Sequence, residues 1–279
     1  MTDSVQKSSS LHAANPVGIF DSGIGGLSVA RHIRTQLPDE DLLYFADSGF
    51  APYGDKSESA VIERSSIIVD FLLQAGCKAL VVACNTATAS AIHILRERYP
   101  AFPIVGIEPG LKPAAAATKS GTVGVMATER TLSSTKFHHL QTQLADTTGV
   151  RFVMQACVGL ADMIEEGNIH SDSTLAMVRR YVEPLLSEGA DTLVLGCTHY
   201  PFIRHAIEAA CERAGIGPVG IVDTGEAVAR QLERLLDAAG LRRTGAAGTL
   251  RAFTTGDATL LLNHFDRLLR LTPSVTNIA

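Results

Sequence analysis

Gly76-Cys-Lys-Ala-Leu-Val-Val-Ala-Cys84-Asn85-Thr86 and Gly189-Ala-Asp-Thr-Leu-Val-Leu-Gly-Cys197-Thr198-His199 align without a gap at a constant offset of 113 residues. Within the first, Ala79-Leu80-Val81-Val82-Ala83 is a continuous apolar run, the pattern of a strand covered on both faces. Earlier in each half, Val17-Gly18-Ile19 before Asp21 matches Val123-Gly124-Val125 before Thr128 at an offset of 106. A long period with only two copies is not a solenoid. It predicts an α/β protein with two similar open-sheet domains, related by pseudo-twofold symmetry and facing each other across a cleft. Ligands of open α/β sheets sit beyond the carboxyl ends of the strands. Both copies place a cysteine there.

Working outward, Val17–Phe20 runs into a glycine loop and then a helical stretch from Leu27 that stops before Pro38. Leu42–Ala46 reads as a second strand. Val61, Ile62, Ser65, Ile68, Val69, Leu72 and Leu73 keep a helical period that Gly76 ends as a C-terminal cap. Strand, helix, strand in this order means a parallel sheet with helices on both sides. The division expected is residues 17–110 plus 224–279 for the first domain and 111–223 for the second. Residues 1–16 are Ser-rich and aperiodic, and 272–279 look similar, so both ends read as loosely ordered tails, the first a flexible one.

The 279 residues fit two domains at roughly 100–200 residues each. Net charge is −5, with no Trp and 5% aromatic residues, which argues against nucleic-acid binding. No apolar run reaches the roughly 20 residues of a membrane span, and the N-terminus carries no signal-peptide pattern, so the expected address is the cytoplasm. Five cysteines, odd in number and without C-x-x-C spacing, indicate free thiols rather than disulfides or a zinc site.

Cys84 and Cys197 each end a predicted strand and precede a predicted helix start, opened by Asn85 and by Thr198 with Pro201. The helix dipole there is expected to lower a thiol's pKa and let it act as a base. Cys77, Cys157 and Cys211 read as packing residues. Two thiols facing each other across a pseudo-twofold cleft suit one chemistry above others. Inverting a stereocentre by proton transfer needs a base on one face of the carbon and an acid on the other. A nucleophilic reading of Cys197 with His199 does not explain why Cys84 mirrors it.

Asp21-Ser22-Gly23-Ile24-Gly25-Gly26 follows the first strand and opens a helix, a setting for anion binding by backbone N–H groups. A dinucleotide fingerprint fits poorly, because Asp47, the nearest acidic residue, comes too late. Taken alone, Tyr53-Gly54 is a turn and Glu165 an exposed helix end.

Together, Val17-Gly-Ile-Phe-Asp-Ser-Gly-Ile-Gly-Gly26, Pro52-Tyr-Gly54, Ala83-Cys-Asn-Thr86, Glu108-Pro-Gly110 and Leu195-Gly-Cys-Thr-His-Tyr-Pro201 resemble the glutamate racemases over about residues 16–240. His199, where related aspartate racemases carry Glu, and the intact Asp-Ser-Gly-x-Gly-Gly opening favour glutamate. The resemblance implies a cofactor-independent isomerase that supplies D-glutamate for peptidoglycan. It assigns Cys84 to the D-enantiomer and Cys197 to the L-enantiomer, with Asp21 supporting the first thiol, His199 the second, and Glu165 assisting. It implies substrate contacts from Asp21, Ser22, Tyr53, Gly54, Asn85, Thr86, Thr128, Thr198 and His199. The family commonly has Pro where this chain has Val158, and a small residue where it has Arg130.

The α-proton of an amino acid is far less acidic than a thiol, and each unit of mismatch costs about 1.4 kcal/mol. No lysine sits in a Schiff-base motif and no His/carboxylate cluster suggests a metal, so no cofactor is expected. Carbanion stabilisation falls to the amides of Gly23–Gly26 and the two helix starts, with the hydroxyls of Ser22, Thr86 and Thr198. The expected partner is the small-molecule substrate glutamate, with no nucleic acid and no membrane, and with room for a homodimer. The alternatives are a racemase or decarboxylase of another small carboxylic acid such as aspartate, and a binding protein that closes on a ligand without turning it over.

Overall fold

The structure, a computed structural model, describes residues 11–215 and 217–278. In the first half, strands β1 (Val17–Asp21), β2 (Leu42–Ala46), β3 (Ala79–Val82) and β4 (Ile104–Gly106) alternate with helices α1 (Leu27–Gln36), α2 (Glu58–Gln74) and α3 (Asn85–Arg98). The second half holds β5 (Thr122–Ala127), β6 (Arg151–Ala156), β7 (Thr192–Gly196) and β8 (Gly220–Val222). Its helices are α4 (Leu111–Ala117), α5 (Glu129–Ser133), α6 (Thr135–Thr148), α7 (Leu160–Glu165), α8 (Asp172–Ser187) and α9 (Arg204–Ala214). The chain then returns to the first sheet through α10 (Gly225–Ala238), β9 (Leu250–Thr254), α11 (Ala258–Leu269) and β10 (Ser274–Asn277). None of the described helices is long and apolar enough to cross a membrane.

One sheet has the order β10-β9-β2-β1-β3-β4, the other β6-β5-β7-β8, and every pairing is parallel. The order β2-β1-β3-β4 therefore recurs as β6-β5-β7-β8. Register recurs too: Val17 sits opposite Ala79 as Val123 sits opposite Thr192. The two offsets seen in the sequence are thus the same strand pairing, built twice.

Each sheet is covered on both faces because successive strand residues point to opposite sides. In the first lobe Ile19, Tyr44 and Val81 pack with α1, α10 and α11, while Phe20, Leu43, Phe45 and Val82 pack with α2 and α3. In the second lobe Met126, Leu193 and Leu195 pack with α7, α8 and α9, while Val123, Val125 and Val194 pack with α4 and α6. The expected α2 stripe holds: Val61, Ser65, Ile68, Val69 and Leu72 are its buried residues, and Gly76 follows at φ +82°.

The described parts of the two ends are held to the first lobe. Residues 1–10 lie outside the described residues, but 11–16 are tied to the first lobe. The Asn15 amide donates to the Gly76 carbonyl at 2.7 Å, and the Lys78 ammonium, buried against Glu40, donates to the Ala13 carbonyl. At the other end, Ser274–Asn277 pairs with Arg251–Thr254 as an edge strand, and Ile278 packs on the core beside it. Four mostly polar residues on a solvent-facing edge show too little alternation to read as a strand. Ladder pairing to β9 is what orders them.

Candidate active site

Cys84 and Cys197 follow β3 and β7 and line one cavity of about 160 Å³ between the lobes. The first lobe adds Ser22, Tyr53, Gly54, Asn85 and Thr86 to its wall; the second adds Thr128, Thr198, His199 and Glu165. Both thiols are buried, at 5% and 7% exposure. All the anticipated site residues meet here except Asp21. Its side chain stands one layer back, fully buried, with Oδ2 accepting from the Gly26 amide at 2.8 Å and, more distantly, from Gly23.

Symmetry holds for the strands and fails just beyond them, in backbone and side chains alike. Cys84 itself caps α3, its Sγ accepting from the Ala87 amide at 3.4 Å, so the helix opens one residue before the Asn85 cap that was expected. Beyond Cys197 the chain makes a single tight turn, Tyr200–Ile203, and the α-helix starts only at Arg204. Pro201 at the start of that turn fixes φ and offers no N–H, which suits it to a first-turn position. At Cys84 the expected lowering is outweighed: burial, and next the Asp21 carboxylate, push its thiol well above the ordinary value despite the Ala87 amide and the Ser22 hydroxyl.

Cys197 has an imidazole instead. Its Sγ lies 3.6 Å from His199 Nδ1, and His199 Nε2 lies 2.7 Å from Glu165 Oε2. Burial alone would lower the imidazole's pKa, but its hydrogen bonds to Cys197 and Glu165 raise it well above 6.5. Glu165 moves oppositely: burial raises its pKa, yet the His199 contact and the Ile24 amide bring it below the usual range. A thiol, an imidazolium and a carboxylate thus stand in line, with a proton held on the imidazole beside Cys197.

The glycine loop does a different job from the one expected. The Gly23 and Gly26 amides donate to Asp21, and the Ile24 amide to Glu165 Oε2 at 3.0 Å, so these donors hold the protein's own carboxylates rather than a ligand. Glycine is required there by close approach. A Cβ at Gly23 would stand 2.2 Å from Glu165 Oε1, and one at Gly25 would stand 2.4 Å from Thr198 Oγ1 and 2.5 Å from His199 Nδ1. What remains for a ligand is the first-turn amides of α3 and of the turn after Cys197, the hydroxyls, and Asn85. Asn85 is buried with neither its Oδ1 nor its Nδ2 partnered among the described residues.

Several contributors were not anticipated. Cys157, read as packing, is buried but also lines the cavity. Asp47, placed too late for a dinucleotide fingerprint, accepts from the Tyr53 hydroxyl at 2.7 Å, from Arg64 at 2.6 and 2.7 Å, and from Thr255 at 2.8 Å, pinning the Pro52–Gly54 loop. Ser48 donates to Glu165 Oε1 at 3.3 Å. A signal for both existed: Asp47-Ser48-Gly49 repeats Asp21-Ser22-Gly23 beyond the neighbouring strand. Arg130 crosses the cleft and donates to the Lys56 carbonyl at 2.7 Å, while Thr86 and Thr128 meet across it at 3.2 Å.

A profile of the Asp/Glu/Hydantoin racemases matches residues 25–232, well over half of the chain. The chain belongs to that racemase family. Among its curated relatives, the glutamate racemase of Ectopseudomonas mendocina is 53% identical over 242 residues, covering 87% of this chain and 90% of its own. Among solved members, a glutamate racemase isoform from Bacillus anthracis superposes with a TM-score of 0.86 at 33% identity, covering 96% of this chain and 98% of its own. The Escherichia coli glutamate racemase, in complex with L-glutamate and the activator UDP-MurNAc-Ala, superposes with a TM-score of 0.82 at 32% identity, covering 95% and 98%. The racemase profile ends before β9, α11 and β10, although these elements complete the first sheet.

Proposed function

We propose that this chain interconverts L- and D-glutamate by two-base proton transfer between Cys197 and Cys84, and thereby supplies D-glutamate for peptidoglycan. The observation that carries the reading is the placement of two thiols at equivalent ends of two equivalent strands, both facing one cavity. The relatives named above support glutamate as the substrate. The reading treats residues 17–110 with 224–279 as one domain and 111–223 as the other, in keeping with which strands share a sheet.

From L-glutamate, the Cys197 thiolate takes the α-proton while the Cys84 thiol delivers its own proton to the opposite face. The D product leaves Cys197 protonated and Cys84 as thiolate, and the reverse reaction exchanges the roles. His199, held by Glu165, favours the charged state of Cys197. Asp21 keeps Cys84 basic, because a neighbouring negative charge makes the thiolate costlier and therefore a stronger proton acceptor. The developing carbanion charge is met by the amides of Asn85 and Thr86 at the start of α3, the Asn85 side chain, and the hydroxyls of Ser22, Thr86 and Thr198. Burial strengthens each of these contacts.

The test is to incubate purified protein, dialysed against a chelator, with L-glutamate in deuterated water and follow both optical rotation and deuterium at the α-carbon. Cys84→Ala and Cys197→Ala are expected to abolish racemisation with the fold intact. Near wild-type turnover by either variant would remove the two-base mechanism, and turnover of aspartate in preference to glutamate would remove the substrate.

A further inference from the structure

Glu165 belongs to the second lobe, yet much of what fixes its carboxylate belongs to the first. Within its own lobe it meets His199. From the first lobe the Ile24 amide donates to Oε2 and the Ser48 hydroxyl to Oε1. His264, on α11, is buried at 3% exposure and faces the backbone and carboxylate of Glu165, with its Nε2 unpartnered among the described residues. Its ring stands 3.5 Å from where a Cβ on Gly167 would sit, and Arg267, one turn further along, donates to the Gly167 carbonyl at 3.3 Å. Helix α11 therefore braces the turn that ends α7. Burial lowers the His264 pKa, reinforced by Arg267 and His199 and opposed by Glu165. A neutral imidazole at that place does not compete with His199 for the carboxylate.

We propose that Ser48 and His264 are positioning residues for the Cys197 half of the reaction, through which the first lobe sets the carboxylate that orients His199. The inference rests on the reading that Glu165 assists Cys197. It follows that the L-side base is complete only when the two lobes are together, whereas Cys84, Asp21 and Ser22 are all supplied by the first lobe.

A double-mutant cycle tests it. Ser48→Ala is expected to lower kcat by about two- to tenfold, the range for one hydrogen-bonding contact, and His264→Ala, which removes the ring packed against the Gly167 turn, to lower it in the same direction. Each should also alter the primary isotope effect with α-deuterated L-glutamate more than that with the D-enantiomer. Ser48→Thr, which keeps the hydroxyl, should restore turnover. In a Glu165→Gln background neither alanine substitution should slow the enzyme further. Should Ser48→Ala and His264→Ala lower kcat by the same factor with and without Glu165, they act by another route and the inference fails. If Glu165→Gln alone leaves both directions unchanged, the parent reading of Glu165 has failed, a distinct result. Loss of fold in His264→Ala leaves the cycle decidable through Ser48→Ala.

Discussion

His199 Nε2 lies 2.7 Å from Glu165 Oε2, whereas the thiol across the cleft, Cys84, is supported by a buried carboxylate behind it. A duplicated backbone has thus acquired two different ways of tuning a cysteine. Cys197 has the His199 imidazole beside it, itself held by Glu165. Cys84 is served by a negative charge that keeps its thiol protonated and its thiolate strongly basic.

Glu165→Gln is expected to reduce kcat by roughly tenfold to a hundredfold, the value of a charge-assisted hydrogen bond. Interconversion of enantiomers has an equilibrium constant near unity, so kcat/KM must fall equally in both directions. The asymmetry appears in kcat, KM and isotope effects taken separately. Stability gives a second readout. Glu165 has a folded pKa below 4.5, so it contributes stability above that pH and loses it as pH falls through the folded value. His199 has a folded pKa above 6.5, so its contribution is full below 6.5 and is lost as pH rises through the folded value. The Tm difference between wild type and variant should therefore peak between pH 4.5 and 6.5. A difference that is flat with pH would show that the pair is not ionised.

Gly25→Ala should cripple turnover, because its Cβ would fall 2.4 Å from Thr198 Oγ1 and 2.5 Å from His199 Nδ1 and displace both side chains. Misplacing a catalytic group by about 1 Å costs on the order of a hundredfold. Gly220→Ala, whose Cβ would meet nothing nearer than 3.5 Å, serves as the comparison and should retain turnover and Tm. Equal activity in the two variants would break the close-approach account of the loop.

The sequence carried the fold well for a specific reason. Val17–Ile19, Ala79–Ala83 and their counterparts are strands buried on both faces, so duplication preserved apolar character at each position, and a constant offset survives. Loop contacts left a fainter trace. Nothing in the spacing of Asp21 and Gly26 says that the loop amides bind the protein's own carboxylates, since that depends on how closely the second lobe approaches. The cap of α3 falls on Cys84 rather than Asn85: Asn is the commoner cap, and nothing local signals that a sulfur, a weak acceptor, takes the role. Ser48 and His264 lie 117 and 99 residues from Glu165; the Asp47-Ser48-Gly49 repeat marks the first as a loop of the Asp21 kind, but no local pattern encodes its meeting with Glu165 and none marks His264.

Asp47→Ala should cost about 3 kcal/mol of stability, the scale for removing one partner of a buried ion pair, because Arg64 and the Tyr53 hydroxyl lose their acceptor. Since the same carboxylate pins the Tyr53-Gly54 wall of the cavity, KM for glutamate should rise as well. Chemical denaturation and steady-state kinetics measure the two effects. A destabilised variant with an unchanged KM would mean that the loop keeps its place without Asp47.

Asp21→Asn should separate stability from activity. Burial is the first cause that raises the Asp21 pKa, and the His199 charge and the Gly26 amide only partly offset it. A carboxylate whose folded pKa exceeds its unfolded value of 3.8 contributes most below that pH and progressively loses stability as pH rises through the folded pKa. The neutral amide escapes that loss, so the variant should be more stable than wild type near neutral pH, with the advantage shrinking in acid. At Cys84 the effect runs the other way. Removing the negative charge that helps raise its pKa should move the pH midpoint of Cys84 alkylation downward, measured in a Cys197→Ser background. A less basic thiolate is a weaker proton acceptor. kcat from D-glutamate should consequently fall further than kcat from L-glutamate, even though kcat/KM falls equally in both directions. An alkylation midpoint that stays put or rises would show that Asp21 does not govern the basicity of Cys84, and the carboxylate would then be left with holding the Gly23–Gly26 loop.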